Sequence, residues 1–315
     1  SDSNLNIKKS YFNAYFNSSG TTIVENSYID HIGNFGEATV SNSLMESISN
    51  KNEATVSESY IKDIYNTGNI SVSGSTINHI SNDKTFESNN NQISTWITNK
   101  GTFESSGDNI KIENGDLLKN YNDMKISNGE ITFNYEIEGY SYGQKNFIEN
   151  YNEDSSLLIK DSNITLKGKY SYYSCASYND GDSAINIYEG TFKLDNTNVV
   201  DTHKNCSTGA LIDNSADSEI IINGGNINTN LKMLVAIRSA STHLEINDAE
   251  VNRGVYVLVD NAQNKIDLNN VNMDEKNTYK SDGNDNFVVV KGDNTSANVS
   301  IKGGTYGKDI KNIYL

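Results

Sequence analysis

Four histidines, forty-one carboxylates and nineteen tyrosines are the side chains here that could carry chemistry. Acid–base catalysis needs such groups held within hydrogen-bond reach of one bond, and a metal centre needs ligands at fixed spacing. His31 and His79 share a face but sit three coils apart, about 14 Å at the strand spacing and too far to chelate one metal, and with His203 and His243 they read as solvated side chains. Asp180-x-Asp182 and Asp282-x-x-Asp285 offer oxygen ligands of the kind calcium takes, but the twelve-residue calcium-loop pattern is missing. Calcium there would stabilise rather than catalyse, and no other cofactor is expected.

Tyrosine is the richer signal, nineteen residues against one Trp. Two dense groups stand out, Tyr135 to Phe147 with Tyr140 and Tyr142, and Tyr170-Ser171-Tyr172-Tyr173-Ser174-Cys175-Ala176-Ser177-Tyr178. Tyr supplies contact area and a hydroxyl at low entropic cost, and loops on a rigid scaffold are where binding residues gather. Tyr135, Tyr140, Tyr142, Tyr170, Tyr172, Tyr173 and Tyr178 are therefore the candidate binding residues. The alternative is that these tyrosines pack onto their own scaffold.

What must position them is a repeat. Glu37-Ala38-Thr39-Val40-Ser41 returns as Glu53-Ala54-Thr55-Val56-Ser57, and Asn69 to Lys84 follows the same grammar sixteen residues on. In each unit an apolar anchor is followed at +3 by a small residue, at +5 by an apolar residue, and usually at +8 by another. Turn signals of the form apolar-x-Asn-x-Gly/Asn separate the units, as in Ile64 to Gly68. Short alternating runs broken by Asn and Gly have the period of strands, not helices. No unit can bury its few apolar side chains alone, whereas stacked units share a continuous core. The expectation is an all-β, single-stranded parallel β-helix of about fourteen coils, roughly 65 Å long at the strand spacing.

The anchors run Ile7, Val24, Val40, Val56, Val72, Ser88, Ser105, Ile126, Ile159, Leu194, Ile222, Ile246, Leu268 and Ile301, and every +5 partner from Phe12 to Tyr306 is apolar or aromatic. At Ser88 and Ser105, where the anchor is polar, Phe86 and Phe103 are expected to fill the core. Residues 1–315 read as one domain, with regular coils of sixteen or seventeen residues over 1–115 and longer coils over 116–315 that gain a third strand and protruding loops. Strand parity places Tyr11, Tyr28, Leu44 and Tyr60 in an outward ladder, a second candidate binding surface. Both tyrosine-rich excursions leave after the +5 strand, and so does Asp201 to Gly209. Cys175 and Cys206 then lie in adjacent loops where a disulfide is plausible, which fits secretion.

Composition narrows the function classes. A net charge of −16 with Arg only at 238 and 253 argues against nucleic acid as a partner. No run of eighteen apolar residues suggests a membrane span, and the Ser1-Asp2-Ser3 start suggests a mature or excised piece of a longer chain.

Asn50-x-x-x-Ala54-Thr55-Val56-Ser57-Glu58-Ser59-Tyr60-Ile61 and Glu219-Ile220-Ile221-Ile222-Asn223-Gly224-Gly225-Asn226-Ile227 resemble repeats of bacterial polymorphic outer-membrane and adhesin passengers. Those belong to the pectate-lyase-like right-handed β-helices, which implies right-handed winding over nearly the whole chain. The Asn/Tyr/Ser-rich, proline-free composition is also similar to the cell-surface scaffoldins of anaerobic gut fungi, which bind dockerin modules. The pectate-lyase-like fold hosts lyases, hydrolases, tailspikes and adhesins, so it does not name an activity. Tyr28-Ile29-Asp30-His31 resembles the aromatic-Ile-Asp-His motif of pectate lyases, but later coils put Glu46-Ser47, Lys62-Asp63 and Asn78-His79 at the Asp30–His31 positions. The elements of polygalacturonase-like hydrolases do not occur. The reading is a non-catalytic, extracellular segment of a surface protein, a monomer within a longer chain. It would bind a protein, such as a dockerin-type module, or a glycan. A polysaccharide lyase or hydrolase and a structural spacer are the alternatives.

Overall fold

The computed structural model describes residues 4–113, 117–136, 146–169, 183–202, 209–231, 233–257, 261–273, 288–290 and 297–306, with backbone alone at 135–136, 168–169 and 288–290. These residues are all-β, and none of them forms a helix long and apolar enough to cross a membrane. The described strand pairings are parallel, each strand lying on its counterpart one coil away, in a stack compatible with a right-handed parallel β-helix. The chain divides into two compact units, 1–112 with 116–131, and 113–115 with 132–315.

In the first unit the coil from Glu53 to Gly68 shows the grammar. Strand Glu53–Ser57 alternates, with Ala54 and Val56 inward and Glu53 and Thr55 outward. Glu58 then turns the chain in the left-handed region at φ 47°. Strand Tyr60–Asn66 follows, with Ile61, Ile64 and Asn66 buried. Between Ile61 and Ile64 two consecutive residues, Lys62 and Asp63, both avoid the core. This break in alternation bends the strand, so that both of its halves can point apolar side chains inward.

All fourteen coils place a left-handed residue two positions after the anchor. Asn26, Asn42, Asn90, Asn128, Asn196 and Asn270 hold this corner, with Asp161, Asp248, Gly74, Gly107, Gly224 and Gly303. Lys9 and Glu58 are the two residues there without a short side chain that tolerates this conformation. The small +3 residue has its own task. Ser27, Ser43, Ser59 and Ser75 each accept the backbone N–H of the equivalent residue one coil earlier, at 3.1–3.2 Å, and donate to the carbonyl two residues back.

The anchors are buried from Ile7 to Leu268, and Phe86 and Phe103 stack inside at 5.3 Å, as the polar anchors beside them require. Ile301 is only half-buried and Phe12 is 38% exposed, against the expectation for an anchor and a +5 partner. Each belongs to an outermost described coil, covered by a neighbouring coil on one side.

The longer coils do not add a third wall. Strand Gln92–Asn99 pairs through its first half with Asn109–Glu113 and through its second half with Leu118–Asn120. The extra strand is thus the second half of the bent strand, set apart by residues inserted at the bend. The second unit repeats this with Asn163–Lys169 and Ser183–Ile187, Asn198–Asp201 and Ala210–Asn214, and Asn226–Asn228 and Met233–Ile237. Its second-half strands Ser183–Ile187, Ala210–Asn214 and Met233–Ile237 are buried on both faces, unlike their counterparts in the first unit.

Candidate functional site

The outward face of the bent strands in the first unit gathers exposed aromatic and titratable side chains in two columns. In the first column Tyr11, Tyr28, Leu44, Tyr60, Thr76 and Gln92 are in register. The Tyr11 and Tyr28 rings stack at 4.6 Å with an interplanar angle of 11°. Loss of solvent between its neighbours, and then the Glu46 carboxylate, push the Tyr28 hydroxyl above its ordinary value. Lys62 donates to Glu46 at 3.1 Å, and this bond raises the Lys62 ammonium. Each ring gives one face to this stack, and Tyr11 stays 72% exposed while Tyr28 is half-buried.

The second column lies on the bend and runs Tyr15, His31, Ser47, Asp63, His79 and Trp96. The His79 Nδ1 sits 2.5 Å from Asp63 Oδ1, and the Trp96 ring lies 6.0 Å from the imidazole. Tyr15 and His31 approach at 5.6 Å, and His31 Nδ1 is 3.2 Å from Asp30 Oδ1. In the second unit His243 stands between Glu219 Oε1 at 3.5 Å and Asp267 Oδ2 at 3.2 Å. A hydrogen bond from Lys265 at 2.6 Å holds the Asp267 carboxyl below its ordinary value, with His243 adding to the effect.

His31, His79 and His243 are therefore solvent-accessible but paired with carboxylates, and not merely solvated. The parallel stack accounts for the longer-range pairs, since it sets Asp63 directly beside His79 and Glu219 directly beside His243, and places Asp267 in the next coil two residues beyond the Lys265 that faces His243. Among the described residues no three His, Cys, Asp or Glu side chains gather to hold a metal ion. Tyr11, Tyr28 and Tyr60 stand in the expected ladder. Tyr135 is described only as backbone in strand Glu130–Glu136. Tyr140, Tyr142, Tyr170, Tyr172, Tyr173, Tyr178, Cys175, Cys206, His203, Asp180, Asp182, Asp282 and Asp285 lie outside the described residues.

The sequence aligns Asp63 with His79 but gives no sign of their ion pair or of Trp96 beside them. Their column is visible as a sixteen-residue equivalence between Asp63 and His79. Trp96 joins it only because the following coil carries one extra residue, and the register shifts between Ile77 and His79. No protein-family model matches the chain, nor does any curated protein sequence or solved structure.

Proposed function

We propose that this chain is a non-catalytic, extracellular binding segment of a larger surface protein, holding a protein or glycan partner against a regular β-helical face. The observation that supports it best is the alignment of the exposed aromatic side chains Tyr11, Tyr15, Tyr60 and Trp96, with the half-buried Tyr28 among them, on one face of a sheet whose other face is buried. A scaffold of this kind keeps contact groups in fixed positions, so little order is lost when a partner binds. The likeness of the repeats to adhesin passengers, and of the composition to scaffoldins that bind dockerin modules, supports the same reading. The sequence also lacks the catalytic sets of the lyases and hydrolases built on such helices. The loop tyrosines Tyr170, Tyr172 and Tyr173 belong to the proposal as a second contact surface.

The test is capture by the immobilised chain from secreted proteins and cell-wall glycans. The native chain would be run beside a face variant, Tyr11→Ala with Tyr28→Ala and Tyr60→Ala, and a loop variant, Tyr170→Ala with Tyr172→Ala and Tyr173→Ala. A component held by the native chain and lost from either variant supports binding and says which surface does it. Capture of nothing by the native chain would favour a structural spacer.

A further inference from the structure

We infer that Trp96, His79 and Asp63, with Tyr65 beside them, form a subsite for a neutral glycan chain. The inference rests on reading the chain as a binding segment and names the ligand class of its bend face. Trp96 is the only Trp in the sequence, and it is 53% exposed on a sheet face instead of buried. Tyr65, on the same outward face two residues after Asp63, is 52% exposed. Aromatic rings left open in this way are suited to the C–H faces of pyranose rings.

The polar centre fits the same ligand. With Nδ1 of His79 directed at Asp63 Oδ1, the imidazole Nε2 and the second carboxylate oxygen remain for a ligand. Two adjacent hydrogen-bonding groups of this kind match the neighbouring hydroxyls of a sugar. Asn78 donates to the Tyr60 hydroxyl at 3.0 Å and closes the patch on its other side.

The backbone is shaped for this display. Thr95, a β-branched residue, is held at φ 89°, and its hydroxyl donates to the Asn78 carbonyl at 2.8 Å. A β-branched residue in that region is an outlier, and such strain clusters at ligand sites. Its effect is to bring Trp96, and not Thr95, beside His79.

Charge and area decide among ligands. A chain of net charge −16 with Asp63 in the subsite repels uronates and sulfated sugars. The patch spans three coils, far less than the 20–30 residues a side of a typical protein interface. Tyr65 and Trp96 are two coils and two residues apart, about 12 Å from the strand spacing and rise. A chain of sugars can reach both, whereas a monosaccharide cannot.

The test is affinity gel electrophoresis of the full chain through a soluble mixed-linkage β-glucan, a galactomannan or polygalacturonate. The expected result is retardation by at least one neutral polysaccharide and none by polygalacturonate. Trp96→Ala and Asp63→Asn should each weaken it about tenfold, Trp96→Phe should retain most of it, and Val200→Ala, at an exposed position of the second unit, should leave it unchanged. Retardation equal in native chain and Trp96→Ala, or stronger with polygalacturonate, would overturn the inference. Failure with both neutral polysaccharides, while the native chain still captures a protein through Tyr11, Tyr28 and Tyr60, would overturn it and leave the binding reading standing. Capture of no component of any kind would remove both.

Discussion

The side-chain amide of Asn50 donates to Oδ1 of Asn66 at 2.8 Å, and both residues are essentially inaccessible to solvent. The same bond links Asn34 to Asn50, Asn66 to Asn82, Asn82 to Asn99 and Asn99 to Asn120, at 2.8–2.9 Å. Asn66 also donates to the carbonyls of Gly68 and Thr85 and accepts from the Gly68 N–H at 3.3 Å. A buried amide with all its bonds made fixes the corner between coils, and a gap in the ladder leaves several buried groups unpaired. Asn66→Ala should destabilise the first unit by about 3 kcal/mol. A lower urea midpoint, with hydrogen exchange accelerating first in the coils around residue 66, would check this.

Glu58 occupies the left-handed corner that Asn26 and Asn42 hold in earlier coils and Gly74 in the next. A glutamate there carries a steric cost that Asn carries less of. Glu58→Asn should raise stability by about 0.5–1 kcal/mol, read from the urea midpoint at unchanged slope.

Asp108 continues the serine ladder as a carboxyl. Its Oδ1 accepts the Asn91 N–H at 2.7 Å, and its Oδ2 accepts the Ser105 hydroxyl at 2.6 Å. Burial raises its pKa, opposed by the hydrogen bonds from Ser105, Ser88 and Asn91. Because the folded value lies above the unfolded one, its stabilising contribution is full in acid and is lost as pH rises through the folded value. Asp108→Asn should therefore melt a few degrees higher than the native chain at neutral pH, and the difference should shrink toward about pH 3. Melting curves of both chains across that range decide it.

Gly68 passes so close to the preceding coil that an added Cβ would lie 2.1 Å from the Asn52 carbonyl oxygen and 2.5 Å from its nitrogen. Both contacts are backbone, so relief requires moving one coil against the next. Gly68→Ala should cost about 3 kcal/mol or more. Loss of the native melting transition, or a fall of many degrees in its midpoint, is the expected observation.

Several features of the fold were legible in the residues alone. Val40, Val56 and Val72 recur every sixteen positions with Met45, Ile61 and Ile77 five further on, and all six are buried. The left-handed corners could have been read the same way, since Asn, Asp or Gly recurs two positions after nearly every anchor. The Asn34–Asn120 ladder was visible as a repeated turn signal, but sequence alone marks Asn as a surface turn residue. Only stacking supplies the amide partner that makes burying it favourable.

The sequence by itself determined the coil. Residue type sets which side chains leave water and which backbone positions can turn left, and both are local properties repeated along the chain. Tertiary structure decided what stands beside what. Trp96 meets His79 because Thr95 takes up one extra residue at the bend, and the extra strands of the longer coils are halves of one bent strand. Register between coils depends on such single-residue shifts, and a one-residue slip is invisible in composition yet changes every neighbour on an exposed face.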